Sequence, residues 1–129
     1  MTSNSRRYIN LPGRPVTLPF SDAVLAGDTL YIAGRIGIDP ATGLAPIDVE
    51  QELHLLFEGF EAVLKQAGMT MDDLVWVQIF SPDVALWEKF NEAYLNRFSK
   101  ELPARAFVGS GPLLRGGRFE MMGTAVRSS

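Results

Sequence analysis

The clearest pattern in the chain is a helical spacing of apolar residues that begins after Val49. These residues recur three or four positions apart, at Leu53, Leu56, Phe57, Phe60, Val63, Leu64 and Ala67. The spacing places them on one side of a helix of about five turns. Asp48 stands where a helix N-cap is expected, and Gly68 stands where a helix ends in a left-handed residue.

A second apolar stripe predicts a second helix. Its members are Val84, Trp87, Phe90, Tyr94 and Phe98. Pro82 precedes them near the first helical position, where the missing N–H of proline costs nothing.

Runs rich in β-branched and aromatic residues predict the strands. Residues 21–26 and 29–37 form a hairpin across Gly27-Asp28, and further strands are expected at 74–80, 104–110 and 118–127. A short extended piece at 8–11 adds a sixth strand, and the run at 74–80 is expected to be buried on both faces. The prediction is a single domain over residues 1–129, an α+β two-layer sandwich in which two helices cover one face of a six-stranded mixed sheet.

Strand alternation divides the sheet residues between two faces. The residues assigned to the helix-covered face are Leu30, Ile32, Ile36, Val75, Val77, Ile79, Ala106, Val108, Phe119, Met121 and Ala125. Those assigned to the uncovered face are Tyr31, Ala33, Arg35, Leu74, Trp76, Gln78, Phe80, Arg105, Phe107, Arg118, Glu120, Met122 and Val126. The uncovered face is too apolar for water and carries ionisable groups that cannot be buried unpaired. We therefore expect an oligomer with Arg105 and Glu120 in clefts between subunits.

Composition removes several classes of chemistry. The 129 residues include no cysteine and one histidine, His54. This excludes thiolate nucleophiles, iron–sulfur clusters, zinc sites that require sulfur ligands and multi-histidine metal sites. The net charge is -3 and the basic residues are scattered, so nucleic acid is an unfavoured partner. No run of 18 apolar residues and no signal peptide is visible, and we expect a cytoplasmic protein without a membrane partner.

Arg105 and Glu120 are the leading candidates for chemistry. The guanidinium of Arg105 offers a bidentate fork for a carboxylate, and Glu120 in a partly apolar cleft could relay protons. The alternative is a structural ion pair between the two. Arg35 and Arg118 could extend an anion site or be rim residues whose stems pack on apolar surface.

Other polar residues carry weaker signals. Asn91 and Tyr94 lie one helical turn apart and could face a ligand, although a structural hydrogen bond fits them equally well. His54 lies at the edge of the first apolar stripe and is assigned no role. Gly34 and Gly37 mark bends or close backbone approach, and neither belongs to a phosphate-binding loop.

Several short motifs, in order over about residues 18–127, resemble one known family. They are Pro19-Phe20-Ser21, Ala33-Gly34-Arg35, Asp39-Pro40-Ala41-Thr42-Gly43, Ala67-Gly68, Asp72-Asp73-Leu74-Val75, Asn91-Glu92-Ala93-Tyr94, Pro103-Ala104-Arg105 and Phe119-Glu120. The chain thereby resembles the RidA (YjgF-type) reactive-intermediate deaminases. The resemblance implies a chorismate-mutase-like fold and a homotrimer with three clefts between subunits.

The resemblance also implies an activity, the hydrolysis of 2-imino or enamine acids to 2-oxo acids and ammonia without cofactor or metal. Arg105 would clamp the substrate carboxylate and Glu120 would position the attacking water. Gly34 and Phe107 would supply backbone groups to the pocket, and Phe20 and Asn91 would line it.

The chain departs from the family pattern at four pocket positions. Phe20 and Ala33 replace hydroxyl-bearing residues, Arg35 replaces glutamine, and Phe107 stands where cysteine is frequent. These changes suggest a different substrate side chain or a second acidic group, with Arg35 binding the extra carboxylate. A pathway-specific deaminase of an aminomuconate-like or aminoacrylate-like acid is one alternative, and a non-catalytic trimer that binds or senses small carboxylates is another. Nucleic-acid processing, described for some relatives, is the least favoured.

Overall fold

The computed structural model describes residues 5–128, which form one six-stranded sheet with two helices packed against one side. The strands are β1 (Arg6–Ile9), β2 (Ala23–Ala26), β3 (Thr29–Arg35), β4 (Leu74–Ser81), β5 (Ala104–Gly109) and β6 (Glu120–Val126). The helices are α1 (Val49–Gln66) and α2 (Trp87–Leu95). The strand order is β1-β2-β3-β6-β4-β5, and β4 pairs with β5 in parallel while the other neighbours are antiparallel. The predicted two-layer α+β fold is confirmed.

The first helix agrees closely with its prediction. The Asp48 side chain accepts a hydrogen bond from the Glu50 N–H at 3.2 Å, which caps the start of α1. After the helix, Gly68 has a φ of +73°, so the chain leaves through the left-handed conformation that glycine adopts without strain. Phe57 and Phe60 are fully buried on the sheet side of α1, at the centre of the core.

The second helix is shorter than its apolar stripe suggests. Asp83 caps a single 3₁₀ turn, Val84–Leu86, by accepting a hydrogen bond from the Ala85 N–H at 3.0 Å. This tight turn delays α2 until Trp87, so the predicted helical position of Pro82 is wrong. Phe98 lies after the end of α2 and packs against the core from the following loop.

The fourth strand is not buried on both faces as predicted. Leu74 pairs with Ala125 and Trp76 pairs with Thr124, so Val75 is an extra residue that forms a bulge in β4. The bulge turns Leu74, rather than Val75, toward the helices. Val75 and Trp76 are left 49% and 40% exposed.

The first strand lies earlier in the chain than the predicted segment 8–11. It pairs antiparallel with β2, and Ile9 opposite Ala23 closes that end of the core. No helix in the described part of the chain is both long and apolar enough to cross a membrane.

Candidate active site

A bulge in β3 sets the direction of two predicted site residues, Gly34 and Arg35. Ile32 pairs with Gly123 of β6 and Arg35 pairs with Met121, so three steps along β3 match two along β6. The extra residue reverses the alternation, and Arg35 shares a face with the buried Met121. The predicted position of Arg35 on the uncovered face is therefore wrong.

Arg35 is packed against α1 and paired with a buried carboxylate. A Cβ built on Gly59 of α1 would lie 2.8 Å from the Arg35 Nη1, which shows how closely the guanidinium approaches the helix. The Asp22 Oδ1 lies 3.5 Å from the Arg35 Nη2. Burial lowers the pKa of Arg35, and the Asp22 charge opposes this shift.

Asp22 also interacts with the segment that carries Phe20. Its carboxylate accepts a hydrogen bond from the Leu11 N–H at 2.8 Å, and its Oδ1 lies 3.7 Å from the Arg14 Nε. The Arg14 Nη2 donates to the Phe20 carbonyl at 2.5 Å, and the Arg14 guanidinium carbon lies 5.4 Å from the centre of the Phe20 ring. Arg14 and Asp22 together hold Phe20 in place.

Phe20 and Gly34 share a cavity of about 190 Å³, here called the Gly34 pocket. It is lined by Leu18, Phe20, Asp22, Ala33, Gly34, Arg35, Ile36 and Ile38. Glu120 lies against Gly34, since a Cβ added at Gly34 would be 2.3 Å from the Glu120 Oε2. The predicted close approach at this glycine is confirmed, and only a residue without a side chain leaves this carboxylate where it is.

Arg105 and Phe107 face the helices, contrary to the prediction. Arg105 pairs with Val77 and Phe107 pairs with Ile79 in the parallel β4–β5 ladder. Val77 and Ile79 are fully buried beneath the helices, and paired residues of neighbouring strands point to the same face. The pairing with β4 thus reverses the faces assigned to β5, and Ala106 and Val108 are turned to the uncovered face.

Three aromatic rings surround the Arg105 guanidinium. Its central carbon lies 4.7 Å from the ring centre of Tyr94, 5.7 Å from that of Phe90 and 5.9 Å from that of Phe107. Cation–π attraction fixes the guanidinium without using its N–H donors. Within residues 5–128, no carboxylate lies within 4.0 Å of it, so the alternative of an ion pair with Glu120 is wrong.

Arg105 opens into a cavity of about 250 Å³, here called the Arg105 pocket. It is lined by Asn91, Tyr94, Leu95, Leu102, Pro103 and Arg105. The Asn91 Oδ1 and the Tyr94 hydroxyl are buried there without a hydrogen-bond partner in the described chain. Burial raises the pKa of Tyr94 to about 12, against the opposing charge of Arg105, so its hydroxyl stays protonated. The unpaired buried polar atoms beside an unpaired cation make this pocket a candidate site for an anionic or polar ligand.

The remaining candidates lie apart from both pockets. Arg118 pairs with Glu52 of α1, with 2.6 Å between the Arg118 Nη1 and the Glu52 Oε1. His54 is exposed on α1. The sequence interpretation missed Glu52, whose signal was a carboxylate inside an apolar helical stripe. No group of three or more His, Asp or Glu side chains suited to a metal ion occurs between residues 5 and 128.

Comparison with known proteins places the chain in a family. A model of the family described as endoribonuclease L-PSP matches residues 13–127. The chain belongs to this family. A goat (Capra hircus) relative named 2-iminobutanoate/2-iminopropanoate deaminase is 34% identical over 129 residues, covering 98% of this chain and 94% of the relative.

Solved structures of the endoribonuclease L-PSP family have the same fold. RidA from the Antarctic bacterium Psychrobacter sp. PAMC 21119 superposes with a TM-score of 0.85 and 28% identity, over 94% of this chain and 99% of that one. YyfA from Yersinia pestis, described as a protein of the conserved Rid family, superposes with a TM-score of 0.87 and 30% identity, over 95% and 100%. The predicted membership of the RidA family is confirmed.

Proposed function

We propose that this chain is a deaminase that hydrolyses a 2-imino or enamine carboxylic acid to a 2-oxo acid and ammonia. The observation that carries the proposal is the Arg105 guanidinium, held by aromatic rings with its donors unpaired beside the orphaned Asn91 Oδ1 and Tyr94 hydroxyl. Such a fork matches one carboxylate. The names of the full-length relatives support the imine as the reacting group.

We further propose that the complete site forms between two copies of the chain. Arg105 is on the helix side of the edge strand β5, whereas Glu120 is on the uncovered side of β6, two strands away. Two strand spacings amount to about 10 Å, with the sheet itself lying between the two side chains. One substrate cannot contact both Arg105 and Glu120 of the same chain. A neighbouring subunit that brings its Gly34 pocket against this Arg105 pocket would place its own Glu120 beside this Arg105.

The uncovered face supports the same assembly. Tyr31, Trp76, Val108 and Val126 project from it and are 37–55% exposed. Large apolar groups side by side on one face are typical of a surface that another protein covers. We propose a homotrimer, the assembly that the family resemblance implies.

The chemistry needs one oriented water and one proton relay. Arg105 would hold the substrate carboxylate, and Asn91 and the protonated Tyr94 would border it. Glu120 would accept a proton from water as the water oxygen bonds to the carbon of the protonated imine and the C=N π pair moves to nitrogen. It would return that proton to the nitrogen as the C–N bond breaks and the C=O bond forms, and the departing ammonia would take the remaining hydroxyl proton. The imine is already electrophilic, so positioning supplies most of the rate.

The test compares Arg105→Gln with wild type while an amino acid oxidase generates an imine in the presence of semicarbazide, which traps it. Wild type should divert the imine to 2-oxo acid, and Arg105→Gln should lower kcat/KM by at least about 100-fold. Arg6→Gln, an exposed arginine of β1, is the matched control. Equal activity of wild type and Arg105→Gln would overturn the proposal.

Two other results would favour different functions. Binding of 2-oxo acids by wild type, lost in Arg105→Gln, without imine turnover would favour a carboxylate sensor. RNA binding with a steep dependence on salt would favour nucleic-acid processing.

A further inference from the structure

We propose that the substrate is a monocarboxylate with a large apolar side chain, rather than a small or a dicarboxylic imino acid. The inference rests on the proposed deaminase function and on the joining of the Gly34 and Arg105 pockets. Three observations carry it, namely the balance of charges in the two pockets, the fixed position of Arg35 and the apolar lining.

The charges account for one substrate carboxylate. Around the Gly34 pocket, Arg14 and Arg35 both pair with Asp22, at 3.7 and 3.5 Å. Glu120 lies against Gly34 and has no cation within 4.0 Å in the described chain. Around the Arg105 pocket, Arg105 has no anionic partner in the described chain. A second carboxylate would enter a region where both arginines are engaged by Asp22 and where the unpaired charge of Glu120 would repel it. It would lose its hydration without gaining a free cation.

Arg35 is not free to bind that second carboxylate. The β3 bulge turns it to the helix side, where its guanidinium packs against Gly59 and lies 3.5 Å from the Asp22 Oδ1. Glu120 lies on the opposite side of the sheet. To reach a ligand beside Glu120, Arg35 would have to give up Asp22, whose buried carboxylate would keep only Arg14, at 3.7 Å, as a cationic partner. Losing one cation from a buried carboxylate is costly.

The lining of the pockets fits a hydrocarbon side chain. In the Gly34 pocket the side chains not used in ion pairs are apolar and carry no hydroxyl: Leu18, Phe20, Ala33, Ile36 and Ile38. In the Arg105 pocket the lining residues other than Asn91, Tyr94 and Arg105 are apolar: Leu95, Leu102 and Pro103. A substrate methyl or phenyl group gains free energy in such surroundings. A polar side chain would find few partners, because Asn91 and Tyr94 border the carboxylate that Arg105 holds.

The experiment compares imines made by amino acid oxidases from leucine, phenylalanine, alanine and glutamate, with semicarbazide as the competing trap. We expect kcat/KM for the leucine or phenylalanine imine to exceed that for the alanine imine by at least about tenfold. The glutamate imine should be the poorest substrate. A preference for the alanine or the glutamate imine would overturn the inference and leave the deaminase function standing, whereas no acceleration with any imine would overturn both.

Two variants test the charge argument directly. Asp22→Asn removes the partner of Arg14 and Arg35, and should raise activity on the glutamate imine relative to the leucine imine. Arg35→Gln should leave the ratio of these two activities unchanged. If wild type accepts the glutamate imine and Arg35→Gln selectively loses it, Arg35 binds the second carboxylate and the inference is wrong. Thermal unfolding of each variant shows whether it folds. If a variant does not fold, the comparison of the four imines as substrates of wild type decides the inference without it.

Discussion

Glu52 of α1 and Arg118, just before β6, form a buried pair with two hydrogen bonds. The Glu52 carboxylate accepts the Arg118 backbone N–H and its guanidinium Nη1, each at 2.6 Å. Glu52 is fully buried, while the Arg118 side chain is 27% exposed. Glu120, the proposed proton relay, follows Arg118 by two residues. The pair therefore anchors the start of β6 to α1.

Removing the Glu52 carboxylate should destabilise the fold. Glu52→Ala leaves the Arg118 guanidinium and backbone N–H without their partner, and the expected loss in the free energy of unfolding is about 3 kcal/mol. The measurement is urea denaturation with an unchanged m-value. Glu50→Ala, which removes the exposed ion pair with Lys89, is the control and should cost less than about 1 kcal/mol. Equal effects of the two variants would contradict the structural role of Glu52.

The same carboxylate should give a pH-dependent stability. Burial raises the pKa of Glu52 above its usual 4.5 although Arg118 opposes the shift. The folded state then holds the Glu52 proton more tightly than the unfolded state does. The stability that this difference adds is complete below pH 4.5 and is lost as the pH rises through the raised pKa. The stability of wild type minus that of Glu52→Gln should therefore fall as the pH rises above 4.5. A difference that grows with pH would mean that Arg118 outweighs burial.

Gly34→Ala should damage activity far more than stability. The added Cβ would lie 2.3 Å from the Glu120 Oε2, and the flexible end of that side chain can move away at little cost to the fold. Displacing the carboxylate by about 1 Å should lower kcat about 100-fold. Gly111→Ala, where a Cβ meets nothing within 4 Å, is the matched control. Full activity of Gly34→Ala would show that Glu120 does not need its present position.

Tyr94 should make the fold sensitive to strongly alkaline pH. Burial raises its pKa to about 12 from the usual 10.0, so the unfolded state loses the phenol proton first. The stabilisation of the fold that this pKa shift gives is complete below pH 10. It disappears as the pH rises to about 12. The stability of wild type relative to Tyr94→Phe should fall over this range, as followed by denaturation at several pH values. A constant difference would mean that the hydroxyl is hydrated.

The elements were predictable because their signals are local. The stripe that ends at Gly68 and the capping Asp48 define α1, and the one-turn spacing of Asn91 and Tyr94 correctly brings both to one pocket. The sequence wrongly predicted that the second helix begins at Pro82, because a proline suits the start of a helix as well as the segment before a 3₁₀ turn.

The direction of the site side chains depended on contacts between distant segments. One extra residue in β3 reverses Arg35, and no composition signal distinguishes a bulge from regular alternation there. Arg105 faces the helices because its strand pairs in parallel with β4. In that register Phe107 packs against Phe90, far away in the sequence. Alternation alone therefore placed Arg105 and Glu120 on one face, and the structure separates them.

In the proposed assembly, activity depends on contact between copies, because Arg105 and Glu120 lie apart within one chain. Trp76→Glu places a charge on the apolar uncovered face, where Trp76 is 40% exposed. Burying an unpaired carboxylate between subunits is costly, so the variant should sediment as a folded chain of 14.2 kDa. Wild type should sediment at about 43 kDa, three times 14.2 kDa.

The assembly variant should also lose imine hydrolysis, because each Arg105 pocket then lacks a neighbouring Glu120. Ile47→Glu is the control, since Ile47 is 95% exposed in the loop before α1 and the same charge there stays in water. It should keep both the wild-type mass and the wild-type rate. A monomeric Trp76→Glu with full activity would mean that one chain holds the whole site, because catalysis would then need no contact between the Arg105 and Glu120 of different copies.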